Sequence, residues 1–335
     1  MDGGSAHAGR QRRMNDREEI GRLLAEADIG PVHRIVPWKD HIGSTCRLHR
    51  IEAAGRRFVG KIAVGPERHS RAVREIQVLR SFGPRWRTLT PALVASRVEP
   101  ADACCILVLE QLDPIRRSGD LRPADLEAVL QSMSRAWGIG PREVALAGLK
   151  LPGWGRGERG DRPHRRRARR LDRRSEIVLR RFPESAERHT PLLDKLIERF
   201  EAVAERSHAR PNRLIHGDLH AENIVFTKKG PRVLDWQTCS LGDPIHDVVR
   251  LALESKPDRS FDSIRTLCGL RSETEAEESD VAQAVVLVYA GFMVGLAGRP
   301  DLAAGTRDHR FARRMLDSHG VARSVGEALQ VLDSD

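Results

Sequence analysis

The sequence predicts an α+β chain with a small, mostly antiparallel sheet in its first third and helices through the remainder. Three observations carry this. Strand-like apolar runs follow closely on one another between residues 33 and 109, with short glycine-containing turns between them. Beyond Asp113-Pro114 the apolar residues fall at helical spacing instead. At 335 residues the chain is long enough for each part to build its own core.

Asp16 to Asp28 reads as a helix with Ile20, Leu23 and Leu24 on one face. Strands are expected at His33–Trp38, Cys46–Ala53 and Arg57–Val64, and again at Ala92–Val98 and Cys104–Leu109. Gly65-Pro66 breaks the third run, and Glu67 to Ser81 returns to helical period with Ala72, Ile76 and Leu79 on one side. A helix follows Pro123, with Leu126, Val129, Leu130, Met133 and Trp137 in register. Another is expected from Pro191 to Ser207. Asn223–Phe226 and Arg232–Leu234 flank the turn Lys228-Lys229-Gly230-Pro231, and Asp243-Pro244 opens the next helix. Composition and spacing thus divide the chain into a tail (1–15), an N-terminal part (16–113) and a C-terminal part (114–335).

Hydrophobic residues at 40% and charged residues at 31% describe an ordinary globular protein, while aromatics at 4% argue against base-stacking platforms. The N-terminus lacks the apolar segment of a secretory signal, and five cysteines form no CxxC pair. Reduced thiols and a cytoplasmic location are expected. The net charge of +10 is local: residues 151–181 hold twelve arginines against four acids, which leaves +2 for the other 304 residues. No nucleic-acid partner is expected. The arginine-rich insert 156–174 reads as a solvated or partly ordered surface segment, with an anion-binding role near the substrate as the alternative. The uncharged run Val281–Gly298 has the minimum length of a membrane span but contains Gln283, Tyr289 and three glycines. A buried helix, and no membrane, is expected there.

The chemistry concentrates in His216-Gly217-Asp218-Leu219-His220-Ala221-Glu222-Asn223 and in Leu234-Asp235-Trp236. A carboxylate, an amide five residues on and a second carboxylate one hairpin later suit phosphoryl transfer from a nucleotide. One acid takes the proton of a hydroxyl, while the amide oxygen and the other acid hold Mg²⁺ on the phosphates. Upstream, Lys61 ends a strand, and Glu75 lies on the apolar face of the next helix. A carboxylate turned inward requires a charged partner, and Lys61 is the candidate. His216 and His220 as zinc ligands are disfavoured, since no third ligand lies near them in sequence.

Together these residues resemble the aminoglycoside phosphotransferase and choline kinase-like superfamily, from about His33 to the last helices and most specifically over 214–248. The resemblance implies a bilobal protein-kinase-like fold with a nucleotide-binding lobe at 16–113 and a catalytic and substrate-binding lobe at 114–335. It implies Asp218 as catalytic base, Asn223 and Asp235 as Mg²⁺ ligands, and Lys61 held by Glu75 against the phosphates of ATP or GTP. His216 and Gly217 would shape the loop, and Asp247 would accept hydrogen bonds from it. Ser44 and Thr45 would cover the phosphates, although plain turn formation explains them as well. The Glu110 carbonyl and Leu112 N–H would meet the nucleotide base. Gly217 stands where protein kinases carry arginine and Trp236-Gln237 replaces Phe-Gly, so a small-molecule acceptor is expected rather than a peptide.

The acceptor stays open at this stage. Glu273, Glu275, Glu277, Glu278 and Asp280 suit a polyamine such as an aminoglycoside, or are simply a solvated helix start. Choline, a sugar or homoserine fits the same chemistry. A catalytically inactive kinase-like binding protein is the alternative from another class, and the intact Lys61, Asp218, Asn223 and Asp235 weigh against it.

Overall fold

The structure, a computed structural model, describes residues 15–38, 46–117, 121–153, 163–208, 212–269, 277–297 and 306–334. The chain divides into two compact units, one of Met1–Ala72 and Leu93–Gln111, the other of Val73–Ala92 and Leu112–Asp335.

In the first unit, helix α1 (Asp16–Glu26) begins behind Asn15, whose side-chain oxygen accepts from the Arg17 N–H. Strands β1 (Val32–Pro37), β2 (Arg47–Ala53) and β3 (Arg56–Val64) follow, then α2 (Pro66–Phe82), β4 (Leu93–Glu99) and β5 (Cys104–Glu110). They form one antiparallel sheet in the order β1-β2-β3-β5-β4. The β2–β3 hairpin turns on Ala54 and Gly55, both at positive φ, which matches the twist of its strands. Within this unit the helix lying on the sheet is α1. Its Ile20, Leu23 and Leu24 meet Ile51, Phe58, Ile62, Ile106 and Val108 in a closed core. Each such side chain contributes about 1.5–3 kcal/mol by leaving water. Arg97 on β4 clips the helix to the sheet through Glu19, at 3.1 Å, and Glu26. Helix α2 starts in this unit, and from Val73 onward its residues belong to the second.

The second unit contains β6 (Arg116–Arg117), α3 (Pro123–Trp137), α4 (Pro141–Leu146), α5 (Pro163–Arg181), α6 (Pro183–His208) and β7 (Arg213–Ile215). Next come β8 (Ile224–Thr227), β9 (Gly230–Val233), β10 (Ser240–Gly242), α7 (Ile245–Ser255), α8 (Phe261–Gly269), α9 (Glu278–Ala297), α10 (Arg307–Asp317) and α11 (His319–Ser334). The apolar α9 packs against α5, α6, α7 and α11, with Val281, Ala284, Val285, Val286, Tyr289 and Met293 buried. By length and composition it could span a bilayer, but its apolar side chains are used in this core. Four of the five cysteines are buried, and none is bridged.

One expectation needs correction. The helix expected to start at Pro191 runs from Pro183 to His208 with Pro191 inside it. Proline deletes one backbone hydrogen bond there. Ser185 and His189 before it, and Leu193, Leu196 and Phe200 after it, are nonetheless buried, and packing carries the helix across the gap. The His189 ring bonds the Tyr289 hydroxyl (2.7 Å) and the Leu316 carbonyl (2.8 Å), which fixes this turn to its neighbours. Part of the arginine-rich insert is ordered as the first turns of helix α5, where Arg169, Arg170 and Arg173 are exposed and Leu171 is buried, with α5 packed on α6 and α9. Residues 156–162 of the insert lie outside the described residues.

Candidate active site

The loop after β7 is fixed from both sides. β7 pairs with β10, setting Ile215 opposite Ser240 and aiming the next residues out of a two-stranded ribbon. Asp247, 1% exposed on the first turn of α7, accepts from the His216 N–H (2.8 Å), the Gly217 N–H (2.9 Å) and Trp137 Nε1 (3.1 Å). Burial pushes the Asp247 carboxyl up in pKa, against the pull of these donors and of His216. Both of its oxygens accept, which is the arrangement of a carboxylate.

His216 is buried, and burial holds its pKa below the usual histidine value. Its Nε2 donates to the Leu234 carbonyl (2.8 Å), and its Nδ1 accepts from the Asp218 N–H (3.2 Å). That network assigns the neutral Nε2-protonated tautomer. The ring therefore joins the loop to the residue preceding Asp235 and leaves no nitrogen for a metal. Gly217 has φ +74°, and a Cβ there would lie 2.6 Å from the Thr238 carbonyl oxygen. Only glycine fits.

Asn223 closes a short 3₁₀ turn rather than opening the strand, which begins at Ile224. Its Nδ2 donates to the Asp218 carbonyl (2.9 Å), and its own carbonyl accepts from the Leu234 N–H (2.8 Å). The β8–β9 pairing sets Ile224 against Val233. Asp235 follows in a left-handed conformation at φ +65°, with Gln237 Nε2 on its Oδ2 at 3.0 Å. A non-glycine residue in that region stores strain, here supported by the packing of Trp236. Trp236 is fully buried, 4.8 Å from the Trp86 ring and edge-on to His216. Asp218, Asn223 and Asp235 thus belong to one hydrogen-bonded loop and hairpin.

A family model for the phosphotransferase enzyme family, APH, matches residues 42–266. The chain belongs to that family. It is a small-molecule kinase. Solved structures with the same fold cover nearly all of this phosphotransferase. Spectinomycin phosphotransferase APH(9)-Ia, solved with ADP and spectinomycin, is 12% identical with a TM-score of 0.63, over 93% of this chain and 98% of its own. The aminoglycoside phosphotransferase APH(2″)-IIIa, solved with GDP and kanamycin, is 15% identical with a TM-score of 0.57, over 94% and 97%. Choline kinase LicA from Streptococcus pneumoniae is 13% identical with a TM-score of 0.55, over 95% and 99%. At such identities the likeness establishes the fold alone. No curated sequence matches the chain.

The remaining expected residues of the phosphotransferase are distributed as follows. Lys61 is half-buried on β3, opposite Leu48 and Leu107, and alternation along the strand turns it away from the α1-facing Phe58 and Ile62. Glu110 ends β5 in the same unit. Glu75, 2% exposed, and Leu112 belong to the second unit. Ser44 and Thr45 lie outside the described residues, as do Glu273 and Glu275, whereas Glu277 and Glu278 are exposed at the start of α9.

Two residues near Asp218, Arg250 and Glu254, went unnoticed in the sequence, and His220, considered there only as a zinc ligand and set aside, lies with them. Arg250 on α7 places a guanidinium nitrogen 2.5 Å from Asp218 Oδ1, and its Nε lies 3.0 Å from Glu254 Oε1. His220 Nε2 is 3.8 Å from Asp218 Oδ2, and His220 Nδ1 is 4.0 Å from Glu254 Oε2. Burial opposes the charge of Arg250, but Asp218 and Glu254 outweigh it and raise the guanidinium above its ordinary value. Asp247, Arg250 and Glu254 stand three and four residues apart on one helix face, a periodicity that the sequence did contain.

The donor set suits a hard cation. With its nitrogen committed to Asp218 O, Asn223 has its carbonyl oxygen to offer, and Asp235 offers a carboxylate. Two protein oxygens completed by phosphate oxygens are what Mg²⁺ accepts.

Proposed function

We propose that this kinase moves the γ-phosphoryl group of ATP or GTP, with Mg²⁺, to a hydroxyl of a small natural product of the aminoglycoside type. The observation that carries this reading is the Asn223 side chain bonded to the Asp218 carbonyl, with Leu234 bonded back to Asn223. Base and metal ligands then move as one piece. The acceptor oxygen attacks the γ-phosphorus, the bond to the β–γ bridging oxygen breaks, and ADP or GDP leaves. Asp218 takes the hydroxyl proton. Arg250 holds Oδ1 of that carboxylate in place. Mg²⁺, held by Asn223 and Asp235, would neutralise charge on the phosphates.

By the same reading Lys61, Glu75, Ser44 and Thr45 are assigned to the phosphates of the nucleotide, and the Glu110 carbonyl and Leu112 N–H to its base. The ADP and GDP in the related structures support a nucleotide donor, and their spectinomycin and kanamycin motivate the acceptor class.

The test is acceptor-dependent release of ADP or GDP from purified protein, with a panel of aminoglycosides, spectinomycin, choline and sugars. Asp218→Ala is expected to lower kcat by about 10²–10⁴-fold, the range for a general base. Undiminished turnover in that variant removes Asp218 from its role. Turnover with choline alone would move the acceptor to that of LicA.

A further inference from the structure

Helix α5 carries a feature that the phosphoryl-transfer chemistry does not use. Arg169, Arg170, Arg173 and Arg174 wall a concave basin of about 470 Å³, and among the described residues they are its whole lining. Neither acid of this stretch joins them: Glu176 pairs with Arg180 at 2.5 Å, and Asp172 does not line the basin. No residue of the Asp218 loop or of the β8–β9 hairpin lines it either.

This concentration of charge runs against helix physics. Arg169 with Arg173, and Arg170 with Arg174, are like charges one turn apart, a spacing that destabilises a helix. The helix holds because its opposite side, Leu171, Ser175 and Val178, is buried. Arg174 is drawn furthest in, donating at 2.7 Å to the Val294 carbonyl in the last turn of α9, where carbonyls lack helical partners. Burial and the neighbouring Arg170 press against its charge. A multivalent anion in the basin would relieve this repulsion, and guanidinium groups match phosphate oxygens in paired hydrogen bonds.

We propose that the α5 basin is a binding site for a compact, multiply charged phosphate compound, separate from the site that binds the phosphoryl donor. Four cationic groups around one concavity match the charge of a polyphosphate or a polyphosphorylated small molecule. The volume falls in the range of small-ligand pockets. Nucleic acid is the weaker match, since no aromatic side chain is interleaved with the arginines.

Isothermal titration of the full chain with inorganic tripolyphosphate tests this, with Arg169→Ser/Arg173→Ser as the disabled form. Both positions are exposed, and Arg174 keeps its bond to α9, so the fold is retained. Lys61→Met is the second arm, because the same probe could occupy the donor site. Binding that weakens with added salt, falls at least about tenfold in the double variant and survives in Lys61→Met is the expected result. No binding to the parent protein would overturn the proposal, as would equal binding by the double variant. So would loss in Lys61→Met alone, which would assign the probe to the donor site. A 20-nucleotide single strand that binds more tightly than tripolyphosphate, and loses that binding in the double variant, would also overturn it in favour of an extended nucleic-acid surface.

Discussion

Replacing Asp247 with asparagine probes the geometry beneath the candidate catalytic loop. One of its oxygens serves both His216 N–H and Trp137 Nε1, and the other serves Gly217 N–H. Asparagine can keep the two-donor side with its carbonyl, but its amide then faces the Gly217 N–H. A buried donor is orphaned beside another donor, at a cost of about 1–3 kcal/mol. The two surviving bonds lose their charge assistance, roughly another 1 kcal/mol together once relief from burying an ion is counted. The second unit should therefore lose about 2–4 kcal/mol. Asp247→Ala, which orphans all three donors, should lose more. Urea denaturation followed by far-ultraviolet circular dichroism reads this from the midpoint, provided the slope is unchanged. Turnover should fall as well, since Gly217 sits next to Asp218 and an ångström of misplacement costs on the order of 10²-fold. An asparagine variant within about 0.5 kcal/mol of the parent, with normal turnover, would refute the three-donor arrangement.

Arg250→Gln should lower kcat by roughly 10–100-fold by freeing the Asp218 carboxylate to rotate, and Arg250→Lys should recover part of it. Equal activity of all three forms in steady-state assays would deny Arg250 a positioning role. Gly217→Ala should abolish most turnover, because the new methyl meets the Thr238 carbonyl. Gly230→Ala, where nothing lies within 4 Å, should bear only the backbone strain of its φ of +101°. Comparable losses in both alanine variants would count against the close approach. His189 is held below its usual pKa, chiefly by burial. Its contribution is complete above the unfolded value near 6.5 and is lost as pH falls below it, because the unfolded chain takes up a proton that the folded one resists. His49 and His216 act in the same direction. Unfolding midpoints should drop between pH 7.5 and 5.5, and His189→Phe should flatten that slope. An unchanged slope would exclude His189 as a contributor.

The parts of this fold that were legible in the sequence are those in which local signals agree with tertiary demands. The α3 stripe from Leu126 to Trp137 is buried as its spacing requires, and the β2–β3 hairpin follows its Ala54-Gly55 turn. The loop at 216–223 was readable because Gly217, Asp218 and Asn223 have steric and chemical demands that few other residues meet. Illegible elements were stabilised from a distance. Only packing reveals that α6 continues through Pro191, and in α5 the buried Leu171 and Val178 are obscured by surrounding arginines. The two- and three-residue strands β6, β7 and β10 have too few residues to show any period at all. Arg250 and Glu254 escaped notice because each reads as an ordinary surface residue until α7 is set beside the loop.

The aromatic stack around Trp236 bears on how ligands for this enzyme should be sought. Its indole is wedged between Trp86 and the edge of His216, immediately after Asp235. A compound that needed this indole to swing out, opening a hollow behind the aspartate, would have to expose 150–250 Å² of aromatic surface, a penalty of about 4–6 kcal/mol. That forfeits at least roughly a thousandfold in affinity before any new contact forms. Inhibitor chemistry built on such a displacement should fail here, and screening is better directed at molecules that leave the stacked rings undisturbed.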